Sequence, residues 1–283
     1  MLSNGAGRRA CLRWIGAIGA AAVCGAPQIA SATTLSRVRE RGALSVGIYN
    51  DMPPFHDAGK GIDVELAQAL ADALGVRLTL LPFNADDSMN DDLRNMVWRG
   101  HYLGYGPADV LLHVPLERPL IEQNPRVHFF APYFRERVMI ARRLDRLPRL
   151  DTLSQLGQQP VAVSGQSLAG WLMLGADDGA YRSQLSTQSK HGAQAAQALA
   201  RGEVAAAAGL ASELESVLRG DARFAIAPLL LPRAPRSGWA VGLAVKRDAD
   251  DLTEALARTV NELTASGRLQ QMFERGNVNW QAA

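Results

Sequence analysis

The sequence has little cysteine. Its 283 residues include only Cys11 and Cys24, and both stand in an N-terminal stretch that we expect to be removed during export. The mature chain would then have no thiol, and therefore neither a disulfide nor a thiolate metal site. Its stability must come from the burial of apolar side chains.

The sequence also lacks an excess of one charge. The chain has 30 basic and 28 acidic residues, and without the three arginines of residues 1–32 the balance becomes 27 against 28. No basic stripe of the kind that binds nucleic acid is present. We therefore expect no nucleic-acid partner.

Motifs for catalysis and for metal binding are missing as well. The sequence has no His-Glu-x-x-His, no Gly-x-Ser-x-Gly and no phosphate-binding loop, so we expect neither an enzyme nor a cofactor. The acidic stretch 86–92 lacks the spacing and the glycine of an EF-hand and suits the first turn of a helix over 91–98. No metal site is predicted.

Long apolar runs are also missing, because the apolar segment 14–26 is shorter than the roughly 20 residues of a membrane span. Basic residues without an acid precede it in residues 1–13, and Ala30-Ser31-Ala32 offers small residues for cleavage. This order is typical of a secretory signal. We predict a signal peptide over residues 1–32, a periplasmic location and no membrane span after cleavage. Ordinary secretion is favoured over twin-arginine export, because the pattern around Arg8-Arg9 is loose.

What the chain does have is an alternation of strand and helix patterns. Residues 43–48 alternate with period two, 62–74 have helical spacing that ends at Gly75, and residues 76–80 alternate again. This βαβ pattern predicts parallel strands. The second half continues it, with the predicted elements strand 161–163, helix 168–174, helix 192–201, strand 204–208, helix 211–219, strand 239–245 and helices 250–265 and 268–274. The pattern favours an α/β fold.

Four segments, in order, resemble the extracellular solute-binding proteins of the polar-amino-acid type. They are residues 35–55 with Asp-x-Pro-Pro-Phe, Gly61-Ile-Asp-Val-Glu-Leu-Ala67, Phe129-Phe-Ala-Pro-Tyr-Phe134, and Gly242-Leu-Ala-Val245 with Val260-Asn261 and Ser266-Gly-Arg-Leu269. The resemblance implies a two-lobed periplasmic-binding-protein-like fold in which each lobe is a mainly parallel sheet flanked by helices. It implies a discontinuous first lobe over 33–133 and 238–283, a second lobe over 134–237, and two hinge crossings.

The resemblance places a ligand between the lobes, outside the carboxyl ends of the strands. Phe55 and Asp51 follow the first strand, and the family often lines its cleft with residues of that loop. Packing of Phe55 on its own lobe and turn chemistry of Asp51 are the alternatives. Gly165, Gln166 and Ser167 resemble a loop that clamps a carboxylate, although Ser167 also suits an ordinary helix N-cap.

Two further residues are candidates for the ligand-binding site. Arg118, in Pro-Leu-Glu-Arg, resembles the family arginine that holds a carboxylate by a forked hydrogen-bonded pair. The stretch 119–128 after it is longer than the family pattern, so a surface position is equally consistent. His113 ends a predicted strand over 110–112 and faces either the cleft or the core, and packing in the core is the favoured interpretation.

One departure from the family concerns the ligand. Amino-acid binders place acids where this chain has Ala205 and Leu210, and a buried ammonium group without a carboxylate partner is costly. A standard α-amino acid is therefore doubtful as the ligand. The segment 92–110 instead resembles accessory proteins associated with PQQ-dependent alcohol dehydrogenases, and Tyr102 and Tyr105 within it would suit a protein interface.

Two functions follow from these resemblances. The first is capture of a small polar or anionic solute by hinge closure, with delivery to an ABC permease. The second is an accessory or maturation role beside a periplasmic quinoprotein dehydrogenase. An enzyme on this fold is disfavoured, because no acid–base pair is identifiable. A clamp of this kind needs no partner subunit, so a monomer is expected.

Overall fold

The structure, a computed structural model, describes residues 34–229 and 231–283. The predicted signal peptide lies outside the described residues. The strands are β1 (Ala43–Tyr49), β2 (Arg77–Phe83), β3 (Val110–Pro115), β4 (Val127–Glu136), β5 (Val138–Arg143), β6 (Val161–Ala162), β7 (Leu185–Ser186), β8 (Ala206–Leu210), β9 (Phe224–Pro228) and β10 (Trp239–Lys246).

Nine α-helices are found in the described residues. They are α1 (Thr34–Arg41), α2 (Ile62–Leu74), α3 (Met89–Leu93), α4 (Arg118–Gln123), α5 (Leu168–Gly175), α6 (Gly192–Arg201), α7 (Ala211–Leu218), α8 (Asp250–Ala265) and α9 (Arg268–Arg275). The helix α3 continues as a π-helical turn over Arg94–Trp98, and short 3₁₀ turns lie at Leu153–Leu156, Ala176–Gly179 and Arg182–Gln184.

The strands form two five-stranded sheets, in the orders β2-β1-β3-β10-β4 and β7-β6-β8-β5-β9. We call the first sheet with its helices the first lobe, and the second sheet with its helices the second lobe. In each sheet two strand pairings are parallel and two are antiparallel. The predicted two-lobed α/β architecture is confirmed. The sheets are mixed and not mainly parallel as predicted, because β10 and β5 run against their neighbours.

The chain passes between the two sheets twice. Arg137 alone separates β4 of the first sheet from β5 of the second, and residues 229–238 connect β9 back to β10. The predicted lobe limits at 133/134 and 237/238 stay a prediction, although β4 continues in the first sheet as far as Glu136, which pairs with Trp239.

The loop between β1 and α2 is shaped by a glycine. Gly61 has a φ of 130°, and a Cβ atom there would collide with the carbonyl oxygen of Phe55. Only a residue without a side chain allows this approach, and it lets the amide of Asp63 donate to the Phe55 carbonyl at 3.0 Å. The loop 50–61 is therefore folded back against its own lobe. The predicted end of α2 at Gly75 is confirmed, with a φ of 70°.

The two lobes have different cores. The first lobe buries a cluster of aromatic rings from separate segments, namely Phe55, Tyr133, Phe134 and Phe273. The second lobe is built largely from alanines of β8 and α6, including Ala195, Ala196 and 205–208. Small side chains allow α6 and β8 to approach closely, and a Cβ atom at Gly192 would lie 3.1 Å from the Cα of Gly209.

Candidate ligand-binding site

The candidate site lies where strands of both lobes end. In the first lobe the loop 50–61 follows β1, which is parallel to β2 and β3. In the second lobe α5, α6 and α7 begin after the parallel strands β6, β7 and β8. Open α/β sheets bind ligands at this edge, because loops and helix N-termini converge there.

Residues of both lobes line a cavity of about 550 Å³ at this edge. We call it the interlobe cavity. The first lobe contributes Asp51, Pro53, Pro54, Asp57, Lys60 and Gly61, and the second contributes Lys190, His191, Ala193, Gln194, Gln197, Ser216 and Val217. Side chains of both charge signs lie on its walls. A few polar groups on a concave surface are typical of a site for a small molecule.

Asp51 and His191 face each other across this cavity. The Oδ1 atom of Asp51 lies 4.0 Å from the Nε2 atom of His191, and the Asp51 backbone is left-handed with a φ of 51°. Asp51 was one of the predicted site residues, and the structure brings it to the interlobe cavity. His191 was missed by the sequence analysis, because the sequence before α6 carries no motif around it.

His191 is also the N-cap of α6. Its Nδ1 atom accepts a hydrogen bond from the amide of Gln194 at 3.2 Å, so the neutral ring carries its proton on Nε2, which faces Asp51. Desolvation by burial lowers the pKa of His191, while the charges of Asp51 and Asp57 act in the opposite direction. At neutral pH the second lobe thus presents a neutral imidazole donor to the cavity.

The loop of Gly165, Gln166 and Ser167 lies beside the segment that leads into α6. The Ser164 hydroxyl donates to the Lys190 carbonyl at 3.0 Å, and the Gly165 amide donates to the Thr187 carbonyl at 3.3 Å. Gln166 is exposed.

Ser167 has the geometry of an N-cap. Its hydroxyl accepts from the Gly170 amide at 3.1 Å and donates to the Ser164 carbonyl at 2.9 Å. The alternative of an ordinary cap is therefore realised. None of Gly165, Gln166 and Ser167 lines the interlobe cavity, and a ligand contact for them stays a prediction.

The structure places Phe55 and His113 in the core of the first lobe rather than on the cleft surface. Phe55 is 1% exposed, and its ring centroid lies 4.0 Å from that of His113. The His113 Nδ1 atom lies 3.2 Å from Asp63 Oδ2 and 3.2 Å from the Tyr133 hydroxyl. Gly61 folds the loop back and turns Phe55 inwards, so neither side chain reaches the interlobe cavity. Neither residue lines the interlobe cavity, and a ligand contact for Phe55 and His113 stays a prediction.

Arg118 is not brought together with the other candidates. It opens α4, its side chain is 89% exposed, and its Nε atom donates to Glu122 at 2.7 Å on the same helix. Charge pairs of this i, i+4 kind belong to solvent-exposed helix faces. Arg118 does not line the interlobe cavity, and its contact with a ligand carboxylate stays a prediction.

Two acids that the sequence analysis missed lie at the helix N-termini of the second lobe. Glu213 accepts from the amide of Gly192 at 2.8 Å and from that of Leu210 at 2.9 Å, at the starts of α6 and α7. Glu136 is fully buried and accepts from the Ser212 hydroxyl and from the Arg137 amide. Desolvation raises the pKa of Glu136 to about 7 and also raises the pKa of Glu213. A protein carboxylate therefore already satisfies each of these helix ends.

The C-terminal segment of the first lobe fixes α7. The Asn277 side-chain amide donates to the carbonyls of Glu215 and Ser216 at 3.1 and 3.2 Å. The amide of Asn279 donates to the Glu215 carboxylate at 2.7 Å, and the Trp280 indole donates to the Tyr133 carbonyl. The helix α7 forms part of the wall of the interlobe cavity, and these hydrogen bonds connect it to the first lobe.

The described part of the chain has neither a metal-binding cluster nor a membrane-spanning helix. Within residues 34–229 and 231–283, no group of three or more His, Cys, Asp or Glu side chains is arranged to hold a metal ion. No helix in the same ranges is long and apolar enough to span a membrane.

Parts of the sequence are similar to known proteins. No family model matches the chain. A segment of 57 residues is 47% identical to the L-cystine-binding protein TcyJ of Escherichia coli and covers 18% of this chain and 21% of that protein. A segment of 155 residues is 31% identical to the membrane-bound lytic murein transglycosylase F of Alcanivorax borkumensis and covers 51% of this chain and 29% of that protein. The chain thus matches less than a third of the length of these relatives.

The structural comparisons cover nearly the whole described chain. An ancestral cationic amino acid solute-binding protein is 19% identical with a TM-score of 0.65, over 86% of this chain and 99% of that one. An amino acid ABC transporter substrate-binding protein of Streptococcus pneumoniae, bound to L-arginine, is 21% identical with a TM-score of 0.61, over 89% and 100%.

A solute receptor for L-cysteine of Neisseria gonorrhoeae is 20% identical with a TM-score of 0.57, over 86% of this chain and 93% of that one. At these identities the likeness is one of fold. The two sheets, their flanking helices and the two crossings agree with it. The chain therefore has the two-lobed α/β fold of periplasmic binding proteins.

Proposed function

We propose that this protein is a periplasmic solute-binding protein that captures a small polar or anionic solute between its lobes by hinge closure. The observation that carries the proposal is the interlobe cavity, to which Asp51 of the first lobe and His191 of the second contribute facing polar groups 4.0 Å apart. Within the described residues two chain segments join the lobes, which suits hinge motion around a solute. Delivery of the solute to an ABC permease would complete the role.

The charges on the cavity walls support a solute that carries both charge signs. Asp51, Asp57 and Lys60 stand on the first-lobe wall, and Lys190 stands on the second-lobe wall. The two aspartates would meet a cationic group and the lysines an anionic one. Ala205 and Leu210 offer no carboxylate where the resemblance to amino-acid binders expects one, so Asp51 would take over the ammonium contact.

A thermal-shift assay of the protein without residues 1–32 tests this function. Probes are L-arginine, L-cysteine, L-cystine and dicarboxylic acids, since binding at about 100 times the dissociation constant adds roughly 2.7 kcal/mol to the free energy of unfolding. We expect a rise in melting temperature with one class of probe. Asp51→Asn should weaken that rise, whereas Arg118→Ala, on the outer surface, should leave it unchanged.

His191→Asn is the informative second variant. Asparagine is itself a good N-cap, so α6 should keep its cap while the cavity loses the imidazole. A thermal shift that persists at full size in both Asp51→Asn and His191→Asn would contradict binding in the interlobe cavity. No shift with any probe would contradict solute capture for these classes.

We propose that the protein binds its solute without transforming it. The structural neighbours described above are solute-binding proteins and a solute receptor, and a second structure of the ancestral protein describes it as an amino-acid-binding precursor of cyclohexadienyl dehydratase. Incubation of a bound probe with the protein, followed by mass spectrometry, tests this. Recovery of the unchanged probe supports binding alone, and a new product would overturn it.

A second candidate function is the accessory role beside a periplasmic PQQ-dependent alcohol dehydrogenase. The observation that favours it is the segment 99–108, where Tyr102 is 88% exposed and Leu103 is 68% exposed. Exposed aromatic side chains are enriched in protein interfaces. Retention of a purified dehydrogenase on the immobilised protein, and its loss with Tyr102→Ser and Leu103→Ser together, would support this role. Equal retention by the variant would contradict it.

A further inference from the structure

A second cavity of about 500 Å³ lies beside the two chain crossings. The first crossing contributes Arg137 and the start of β5, and the second contributes the end of β9 with Leu229, Leu231, Pro232 and residues 234–236. It shares no lining residue with the interlobe cavity. We call it the crossing cavity.

The walls of the crossing cavity are mostly apolar. Met139, Leu229, Leu231 and Ala234 line it and are themselves less than a tenth exposed. Pro228 and Pro235 add rigid apolar surface, because the proline ring restricts the backbone. An aliphatic group that entered would exchange water for these side chains, which is favourable in proportion to the apolar area removed from water.

Two guanidinium groups give the crossing cavity a positive charge. Arg137 has an Nε atom that is shielded from solvent and has no hydrogen-bond acceptor among the described residues. The positive charge of Arg137 acts to lower the pKa of Glu215, but the two side chains form no salt bridge within the described chain. Arg236 is exposed, and in the part of the chain that the structure describes its side chain has neither a hydrogen bond nor a salt bridge.

The guanidinium groups of Arg137 and Arg236 have no carboxylate partner among the described residues, whereas the side chain of the neighbouring Arg135 donates to the Ser237 carbonyl at 3.3 Å. A carboxylate in the cavity would pair with them, since guanidinium and carboxylate groups form strong charge-assisted pairs. The crossing cavity therefore combines an apolar lining with donors for one anionic group.

We propose that the crossing cavity is a second binding site, for a small amphipathic anion of the aliphatic-carboxylate class. The carboxylate pairs with Arg137 and Arg236, and the aliphatic chain packs against Met139, Leu229 and Ala234. This site is separate from the solute site proposed above. Its test does not depend on whether the interlobe cavity binds a solute.

Isothermal titration calorimetry of the protein without residues 1–32 tests the site with octanoate as the probe. Octanol, which has the same chain and no charge, is the matched ligand control. We expect octanoate to bind at least about tenfold more tightly than octanol, the factor that corresponds to one charge-assisted contact of modest strength. Equal affinity for the two probes would overturn the proposal, and so would the absence of octanoate binding.

Variants assign the binding to the cavity. Arg236→Gln removes an exposed charge and should leave the fold intact, while it weakens octanoate binding about tenfold and leaves octanol binding unchanged. Arg258→Gln, which removes an exposed charge on α8, is the control and should change neither. Arg137→Gln should act like Arg236→Gln.

A second variant keeps the test decisive if Arg137→Gln does not fold. Ala234→Phe adds an apolar side chain to the cavity wall without changing charge, and it should reduce the affinity for octanoate and octanol alike. Unchanged octanoate affinity in both Arg236→Gln and Ala234→Phe would place the binding elsewhere and overturn the proposal.

Discussion

The two lobes build their packed interiors from side chains of different size. The first lobe buries large rings brought together from the loop after β1, from β4 and from α9, and the rings of Phe134 and Phe273 lie 4.6 Å apart. The second lobe buries alanines of β8 against alanines of α6. Large rings contribute more apolar area per residue, whereas alanines allow helix and sheet backbones to approach closely.

This difference has a consequence for the site. The loop 50–61 packs against the rings of the first lobe, and its residue Asp51 lines the interlobe cavity. The close packing of the second lobe brings the starts of α6 and α7 together, so that one carboxylate, Glu213, accepts from amides at both. Shortening a buried side chain should therefore destabilise the first lobe most. Enlarging a buried side chain should destabilise the second lobe most.

The largest expected effect comes from removing a ring of the first lobe. Phe55→Ala deletes a side chain that is 1% exposed. Such deletions lower the free energy of unfolding by about 4 kcal/mol, because the space left by the ring is only partly refilled by its neighbours. Urea unfolding followed by circular dichroism measures this loss. Tyr102→Ala, at an exposed position, is the control and should change the free energy of unfolding by less than about 0.5 kcal/mol. Similar effects in both variants would refute the aromatic core.

The next effect concerns Glu136, at the strand end where the lobes join. Burial raises its pKa from 4.5 to about 7, so between these pH values the folded protein binds more protons at Glu136 than the unfolded chain does. The free energy of unfolding should therefore fall as pH rises from about 4.5 to about 7, by roughly 3 kcal/mol from this group. Urea unfolding at pH 5 and pH 8 measures the change.

Glu136→Gln is the control for that pH dependence. The variant cannot ionise at this position, so the part of the pH dependence that belongs to Glu136 should disappear. The groups that contact this carboxyl group or interact with it electrostatically remain in the variant. They are His113, Tyr133, Arg137, Ser212 and Glu213. An identical pH dependence in both proteins would exclude a raised pKa of Glu136.

Adding atoms to the second lobe should have a smaller effect. Ala207→Leu enlarges a fully buried alanine of β8, and overpacking of a close-packed interior costs about 2 kcal/mol. The same change at the exposed Ala222 should be close to neutral. Urea midpoints of the two variants provide the measurement. Equal midpoints would mean that the second lobe has space which its alanines do not fill.

The smallest effect is expected at Arg118. Its salt bridge with Glu122 is exposed at both ends, and such pairs contribute about 0–1 kcal/mol. Arg118→Ala should leave both stability and any solute binding nearly unchanged, as measured by urea unfolding and by thermal shift. A loss of solute binding in this variant would indicate that Arg118 contacts the solute, as the resemblance to the family implied.

Part of the fold could be predicted because it depends on local pattern. The helical spacing of residues 62–74 with Gly75 predicted α2, and the spacing of residues 192–201 predicted α6. The strand predicted at 204–208 lies at Ala206–Leu210, because a run of alanines has no alternation to set its register. The strands β4, β5, β7 and β9 were not predicted, since their pairings depend on partners distant in the chain.

The alternation of strands and helices, and with it the α/β class, can be read from the sequence because hydrophobic periodicity is a local property. Which candidates face the interlobe cavity depends on the folded arrangement of distant segments. That arrangement turned Phe55 into the core through the fold of the loop at Gly61, left Arg118 on the surface, and brought His191 opposite Asp51. Side-chain direction at the end of a strand depends on what packs against it, and that information lies in distant segments of the chain.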